Sequence, residues 1–262
     1  MTVVALGRVT RGRWTALDTG RGPLTYREMI AYGRRFARAG RGVWYSAAIE
    51  VIWPCLVLLT RFRARGADNI PKTGGVVVAS NHLSFLDPTT LAAFVLEAGR
   101  VPRFLAKASL WKVPVLGPIM RNGRHIPVHR GTTTAGGAYR DAVAAVNAGE
   151  CVAIFPESTF SDDPDHWPMK GKTGAARIAL ETGAPVVPVA NWGTHRLLPS
   201  TAWIPRGFPR KTVDLVAGPP VDLDDLRGPD PSREVLDEAT ARIMAAITAL
   251  LGVTRGESPP VG

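Results

Sequence analysis

The sequence predicts an α/β fold. A mixed, mostly parallel sheet is flanked by helices, and an N-terminal amphipathic and apolar helical hairpin precedes it. Two observations carry the prediction. Short β-branched runs alternate with segments of helical period over most of the chain. The clearest run, Val76-Val77-Val78-Ala79, is apolar on both faces and stops abruptly at Ser80-Asn81-His82. That is the pattern of a buried strand delivering polar residues to the carboxyl edge of an open sheet, where such sheets place their ligands.

The elements follow in order. Residues 1–25 are rich in glycine and arginine, have little periodicity, and read as a poorly ordered basic arm. From Tyr26 a helix is expected, with Tyr26, Met29, Ile30, Gly33 and Ala37 on one stripe and Gly40 and Gly42 ending it. A second helix is expected over Val43–Thr60, apolar almost all round, with Trp44, Tyr45 and Trp53 as interfacial anchors. It falls short of the roughly 20 residues a membrane span needs, carries Glu50 near its middle, and is interrupted by Pro54. Residues 26–66 are therefore expected to associate with a membrane as a hairpin lying in the interface. Residues 67–253 are expected to form the main α/β domain, and 254–262 a tail.

Within that domain, strands are expected at Val76–Ser80, Arg103–Lys107, Arg124–Val128, Val152–Phe155, Val186–Asn191 and Thr212–Ala217. Helices are expected at Thr89–Ala98, near Ser109–Trp111, and at Thr134–Asn147, Lys172–Thr182 and Ser232–Leu251. Asp87 and Pro88 read as the N-cap and first residue of the helix after His82.

Charge is unevenly placed. The formal net charge is +10, and twelve arginines precede Gly66, opposed there only by Asp18, Glu28 and Glu50. A basic end on a near-neutral remainder suits an anionic partner. The apolar residues beside it favour a membrane surface over nucleic acid. Cys55 and Cys151 have no metal-ligand or disulfide spacing, which fits a reducing cytoplasm. The apolar stretch after Met1 is too short for a signal peptide. His125, His129, His166 and His195 form no metal-ligand pattern, so no metal is expected.

His82 and Asp87 are separated by four residues. A loop of that length can fold back so that the carboxylate accepts from one ring nitrogen. That fixes the tautomer and leaves the other nitrogen free as a base. A capped helix behind a surface histidine has the same spacing, so the pair alone does not decide. KGKTG at Lys170–Gly174 fails as a nucleotide-binding P-loop, because His166 stands where the first glycine is required. It reads instead as a helix N-terminus with lysines available to phosphate or coenzyme A.

The surrounding blocks extend the pattern. NHLSFLD resembles the H-x4-D motif of the glycerolipid acyltransferases, the family that includes lysophosphatidate acyltransferases. Further blocks follow in that family's order. FLAKASLWKVPVL at Phe104–Leu116 resembles the segment after the first motif, and GRHIPVHR at Gly123–Arg130 resembles the second. FPEST at Phe155–Thr159 resembles the third, usually FPEGTR, and VVPV at Val186–Val189 the fourth. The resemblance runs from about Asp68 to Asn191.

It implies an α/β fold and transfer of a fatty acyl chain to a lysophosphatidate-like hydroxyl. The donor would be acyl-CoA or acyl carrier protein, a substrate rather than a cofactor, and no cofactor is implied. His82 and Asp87 would be catalytic. Arg130, Glu157, Thr159, Lys107 and Lys172 would bind substrate. The expected location is the cytoplasmic face of the cell membrane. Two residues depart from the third motif: Ser158 replaces glycine and Phe160 replaces arginine. Losing that arginine leaves room for a larger or less charged acceptor, such as another lysophospholipid or a glycolipid. A noncatalytic lipid-binding protein of the same fold is the reading from another class. A hydrolase lacks support, since no G-x-S-x-G elbow is present.

Overall fold

A computed structural model describes residues 23–129, 135–202 and 204–259. Most of the expected basic arm, Arg130 and the end of the tail lie outside them. The core is a seven-stranded sheet. Its strands are β1 (Thr60–Arg65), β2 (Val76–Ser80), β3 (Pro102–Lys107), β4 (Ile126–Val128), β5 (Cys151–Ile154), β6 (Val186–Trp192) and β7 (Lys211–Ala217). Their spatial order is β1-β7-β6-β2-β5-β3-β4. All neighbours are parallel except β6 and β7. The predicted fold class is therefore the observed one.

Helices cover both faces. On one side lie α1 (Tyr26–Arg34), α2 (Val43–Leu59) and α3 (Asp87–Glu97). On the other lie α5 (Ala135–Asn147), α6 (Gly174–Thr182) and α8 (Arg233–Arg255). Two short helices, α4 (Leu116–Asn122) and α7 (Thr194–Leu197), lie in connections and lack the length to register as periodicity. In β2 every side chain is buried, so its apolar run satisfies both faces at once. The stripe of α8 runs through Leu236, Ala239, Ile243, Ile247 and Leu250, as its spacing predicts.

The first strand corrects the sequence reading. The second helix was expected to run to Thr60, and Arg61, Arg63 and Arg65 were given no strand and only a share of the basic charge. Residues Thr60–Arg65 instead form β1, in register with β7. Arg63 stands opposite Asp214 in that register and pairs with it, Nη2 to Oδ2 at 2.9 Å. β-branching is sparse in TRFRAR, so only the tertiary pairing reveals it as a strand.

The hairpin is bound to the sheet by an aromatic cluster. Tyr32, Phe36, Trp53 and Phe62 meet with ring centroids between 5.0 and 5.8 Å. Trp53 Nε1 also donates to Met29 O across the two helices at 3.1 Å. Thr25 and Glu28 form a capping box that starts α1. Of the three expected interfacial anchors, only Trp44 is exposed. Tyr45 and Trp53 are buried against the domain. The helix α2 continues through Pro54, and no helix among the described residues is long and apolar enough to cross a membrane.

His125 belongs to this packing. It follows a turn at Arg124, whose φ is +51°. Its ring lies against Tyr45 and Phe104, and its Nδ1 accepts from Phe104 N at 3.1 Å. Burial, with Arg103 nearby, pulls its pKa down to about 4. The unfolded chain therefore takes up a proton as pH falls through about 6.5 while the folded protein does not. Stability should fall from pH 7 toward pH 4 and lose nothing further from this group below that. His125→Gln, which keeps an acceptor for Phe104 N, should flatten the slope. Urea midpoints measured from pH 7 to pH 4 check this.

Candidate active site

The site is built where β2 ends. Ser80, Asn81 and Asp87 are fully buried, so the chain leaves the strand through a polar interior. The expected role of Asp87 needs correction. Leu86 is the N-cap of α3, and Asp87 is the first helical residue, with Pro88 behind it. The carboxylate turns back into the preceding loop. Its Oδ2 accepts from Leu83 N at 2.5 Å, from Ser84 N at 2.7 Å, and lies 2.9 Å from His82 Nδ1. Its Oδ1 accepts from Thr194 Oγ1 at 2.5 Å and Asn191 Nδ2 at 3.3 Å. The folded-back loop foreseen from the spacing is therefore present, and the carboxylate orders that loop instead of capping the helix.

His82 is held on several sides. Its ring stacks on Phe155 with centroids 4.2 Å apart, and Phe160 lies 4.4 Å away on a tilt. Its backbone N–H donates to Glu157 Oε1 at 3.0 Å, and its carbonyl accepts from Ser161 N at 2.8 Å. The side chain is 16% exposed. With Nδ1 directed to Asp87, the Nε2 edge is the one available to a reactant. His82 lines a cavity of about 770 Å³ between the carboxyl edge of the sheet and the hairpin. Ile49, Ile52 and Leu56 of α2 face Ala92 and Leu96 of α3 across it, with Met120 of α4 also lining it. The walls are therefore largely apolar, and the imidazole is a polar group placed against them.

The remaining expected ligands separate into two groups. Lys107, Thr159 and Lys172 line the same cavity as His82 and are exposed. Glu157 is 3% exposed, and each carboxylate oxygen accepts a backbone N–H, from His82 and from Met169, at 3.0 Å. Burial raises its pKa, partly offset by those two bonds. In this arrangement Glu157 staples the His82 loop to the 160–170 segment and does not face the cavity. Arg130 lies outside the described residues.

The two departures from the third motif have visible consequences. Ser158 has φ +61°, a left-handed conformation that favours glycine. Phe160, in place of arginine, puts an aromatic wall between His82 and Phe85, whose ring is 4.7 Å away. Arg124 does not replace the lost cation near His82. It pairs with Glu150 at 2.7 Å, beside the amino end of β5. Burial pushes the Cys151 thiol up to about 12, so it stays a neutral thiol at working pH. No cluster of His, Cys, Asp and Glu among the described residues has a metal-binding arrangement. Asn191 and Thr194 are the site residues that the sequence reading missed. They lie just beyond the block at Val186–Val189, and no local spacing links them to Asp87.

Comparisons with known proteins agree with this geometry. The fold matches the crystal structure of the 1-acyl-sn-glycerophosphate acyltransferase PlsC from Thermotoga maritima. The TM-score is 0.58 at 24% identity, over 97% of this chain and 86% of that one. The 1-acyl-sn-glycerol-3-phosphate acyltransferase BAT2 of Brassica napus is 31% identical over 64% of this chain and 46% of its own length. The 1-acyl-sn-glycerol-3-phosphate acyltransferase of Borreliella burgdorferi is 31% identical over half of each chain. This chain thus spans about half the length of the curated relatives it matches. The family model described as Acyltransferase matches residues 61–192, which run from β1 to the end of β6 and include the whole His82–Asp87 loop. On the strength of that match, the chain belongs to the acyltransferase family.

Proposed function

We propose that this chain moves a fatty acyl group from a thioester donor, acyl-CoA or acyl carrier protein, to the hydroxyl of a lysophosphatidate-like lipid. The observation that carries the reading is the His82–Asp87 pair at 2.9 Å, with His82 opening onto the apolar cavity. The Nε2 of His82 takes the acceptor's hydroxyl proton as that oxygen attacks the thioester carbonyl. A C–O bond forms, the C–S bond breaks, and the thiolate leaves with the bonding pair. The proton held on His82 then neutralises the thiolate or passes to solvent. Asp87 keeps the ring oriented and stabilises the imidazolium that forms. No cofactor is required, and the apolar cavity suits the acyl chain of one of the two substrates. Lys107, Lys172 and Thr159 supply polar contacts at its rim, and Arg130 remains the proposed phosphate ligand on the motif alone.

Phe160 favours a second acceptor class. An aromatic ring 4.4 Å from His82, in the place of a cation, suits a lysophospholipid or glycolipid with less charge near the reacting hydroxyl. Offering the purified protein lysophosphatidate, lysophosphatidylcholine and a monoacylated glycolipid with acyl-CoA, with products read by mass spectrometry, separates the two. Preference for lysophosphatidate supports the main reading, and preference for the others the second. Acylation of none of them defeats both. His82→Ala should lower turnover by about 10²–10⁴-fold without unfolding the protein, and Asp87→Asn should be severely impaired because it favours the wrong tautomer. Near-wild-type turnover by folded His82→Ala would remove His82 as the base.

The substrate's acyl chains reside in a bilayer, so we propose a peripheral location on the cytoplasmic face of the cell membrane. Val43, Trp44, Val51 and Leu58 project from α2 with exposures of 55–80%. Each such aliphatic side chain is worth about 1.5–3 kcal/mol on full burial. Each arginine near an anionic surface adds about 1 kcal/mol, screened over a Debye length of roughly 8–10 Å. Val51→Glu with Leu58→Glu should reduce flotation with anionic vesicles while the sheet stays folded. High salt should weaken, and not abolish, flotation of the unaltered protein. Undiminished flotation of the double variant would place the lipid contact elsewhere.

A further inference from the structure

Asp87 depends on a buried polar group from the far side of the sequence. Asn81, Asp87, Asn191 and Thr194 are each fully buried. Asn81 and Asn191 exchange hydrogen bonds across the ends of β2 and β6. Asn81 Nδ2 donates to Asn191 O at 2.9 Å, and Asn191 N donates to Asn81 Oδ1 at 2.8 Å. The Asn191 side chain then turns toward α3, where its Nδ2 donates to Asp87 Oδ1 at 3.3 Å and Thr90 Oγ1 at 3.1 Å.

The orientation of that amide is informative. Its Oδ1 is buried and has no hydrogen-bond partner among the described residues. An orphaned buried carbonyl costs free energy. Flipping the amide would point this oxygen at the Asp87 carboxylate, which is worse. The amide is therefore oriented with its N–H toward Asp87.

Thr194 makes the shorter contact, 2.5 Å to the same Oδ1. Gly193 sets its position. The φ there is +94°, and a Cβ would come within 2.0 Å of Thr212 O, so only glycine fits this turn. The carboxylate is thus gripped at both oxygens: Oδ2 by the His82 loop and Oδ1 by the segment after β6. Without the second grip it can rotate about its own bond, and the Oδ2 geometry that aligns His82 Nδ1 is lost.

We propose that Thr194, supported by Asn191, is a positioning residue for acyl transfer, acting through Asp87 and never touching substrate. The inference rests on His82 being the base in the proposed reaction. A hydroxyl that merely stabilised the fold would not affect turnover selectively.

Thr194→Val keeps the volume and removes the donor. Its kcat should fall about tenfold, with KM for acyl-CoA and for lysolipid changed by less than about twofold and the thermal midpoint close to wild type. Thr194→Ser restores a hydroxyl and should recover at least half of the wild-type kcat. Should the valine variant fail to fold, Thr194→Ala tests the same split. A folded Val or Ala variant with wild-type kcat overturns the proposal. A folded serine variant as impaired as valine also overturns it, as does a change confined to KM. Wild-type protein inactive on every lysolipid offered would instead defeat the underlying reaction, and with it this role. Active wild type with an unimpaired variant defeats the role alone.

Discussion

The structure depends on one buried carboxylate. Asp87 is fully removed from solvent, a placement that is costly for a charge unless its oxygens are hydrogen-bonded. Two backbone amides, an imidazole, a hydroxyl and a carboxamide meet that need. These groups come from the loop after β2 and from the end of β6 and the turn beyond it. Satisfying one charge thereby fixes the path of the His82 loop and the relation of two neighbouring strand ends. The His82–Asp87 geometry and the local fold are solutions to the same electrostatic problem.

A second set of contacts shapes the space in front of that charge. The helix α2 is one wall of the cavity and also part of the core, so the hairpin is not an independent appendage. β1 follows it without a linker and pairs with β7. Arg210 adds a tie from beyond β6, donating to Val57 O at 2.7 Å and lying over the Tyr26 ring at 3.9 Å. Apolar residues on the inner side of α2 meet the cavity, and those on its outer side face away from the protein. One helix thus lies between the His82 cavity and the outer surface of the hairpin.

The third block shows how a departure from a motif is absorbed. Glu157 keeps its place because its carboxylate bridges two backbone segments, a task that no uncharged side chain of that length performs as strongly. Ser158 occupies a left-handed backbone position and closes its turn through its own N–H to Phe155 O at 2.9 Å. Phe160 changes more. It sets an aromatic face beside His82, where the third motif usually has a charge.

Much of this was written locally. Short β-branched apolar runs and stripes of period 3.6 pointed to six of the seven strands and the long helices, because burial on both faces of a strand leaves a continuous apolar run and burial on one face of a helix leaves a stripe. The four-residue gap between His82 and Asp87 allowed their meeting without deciding it, and the folded loop brings Nδ1 and Oδ2 to 2.9 Å. Tertiary structure alone decided the rest. β1 carries alternating arginines and became a strand only because β7 offered it an edge. Tyr45 and Trp53 look like interfacial aromatics in sequence, yet the sheet gave them a better place to hide. Glu157 was chemically ambiguous until two amides claimed its oxygens. Thr194 lies 107 residues from Asp87. No periodicity or spacing spans that distance, and only the pairing of β2 with β6 brings the hydroxyl to the carboxylate.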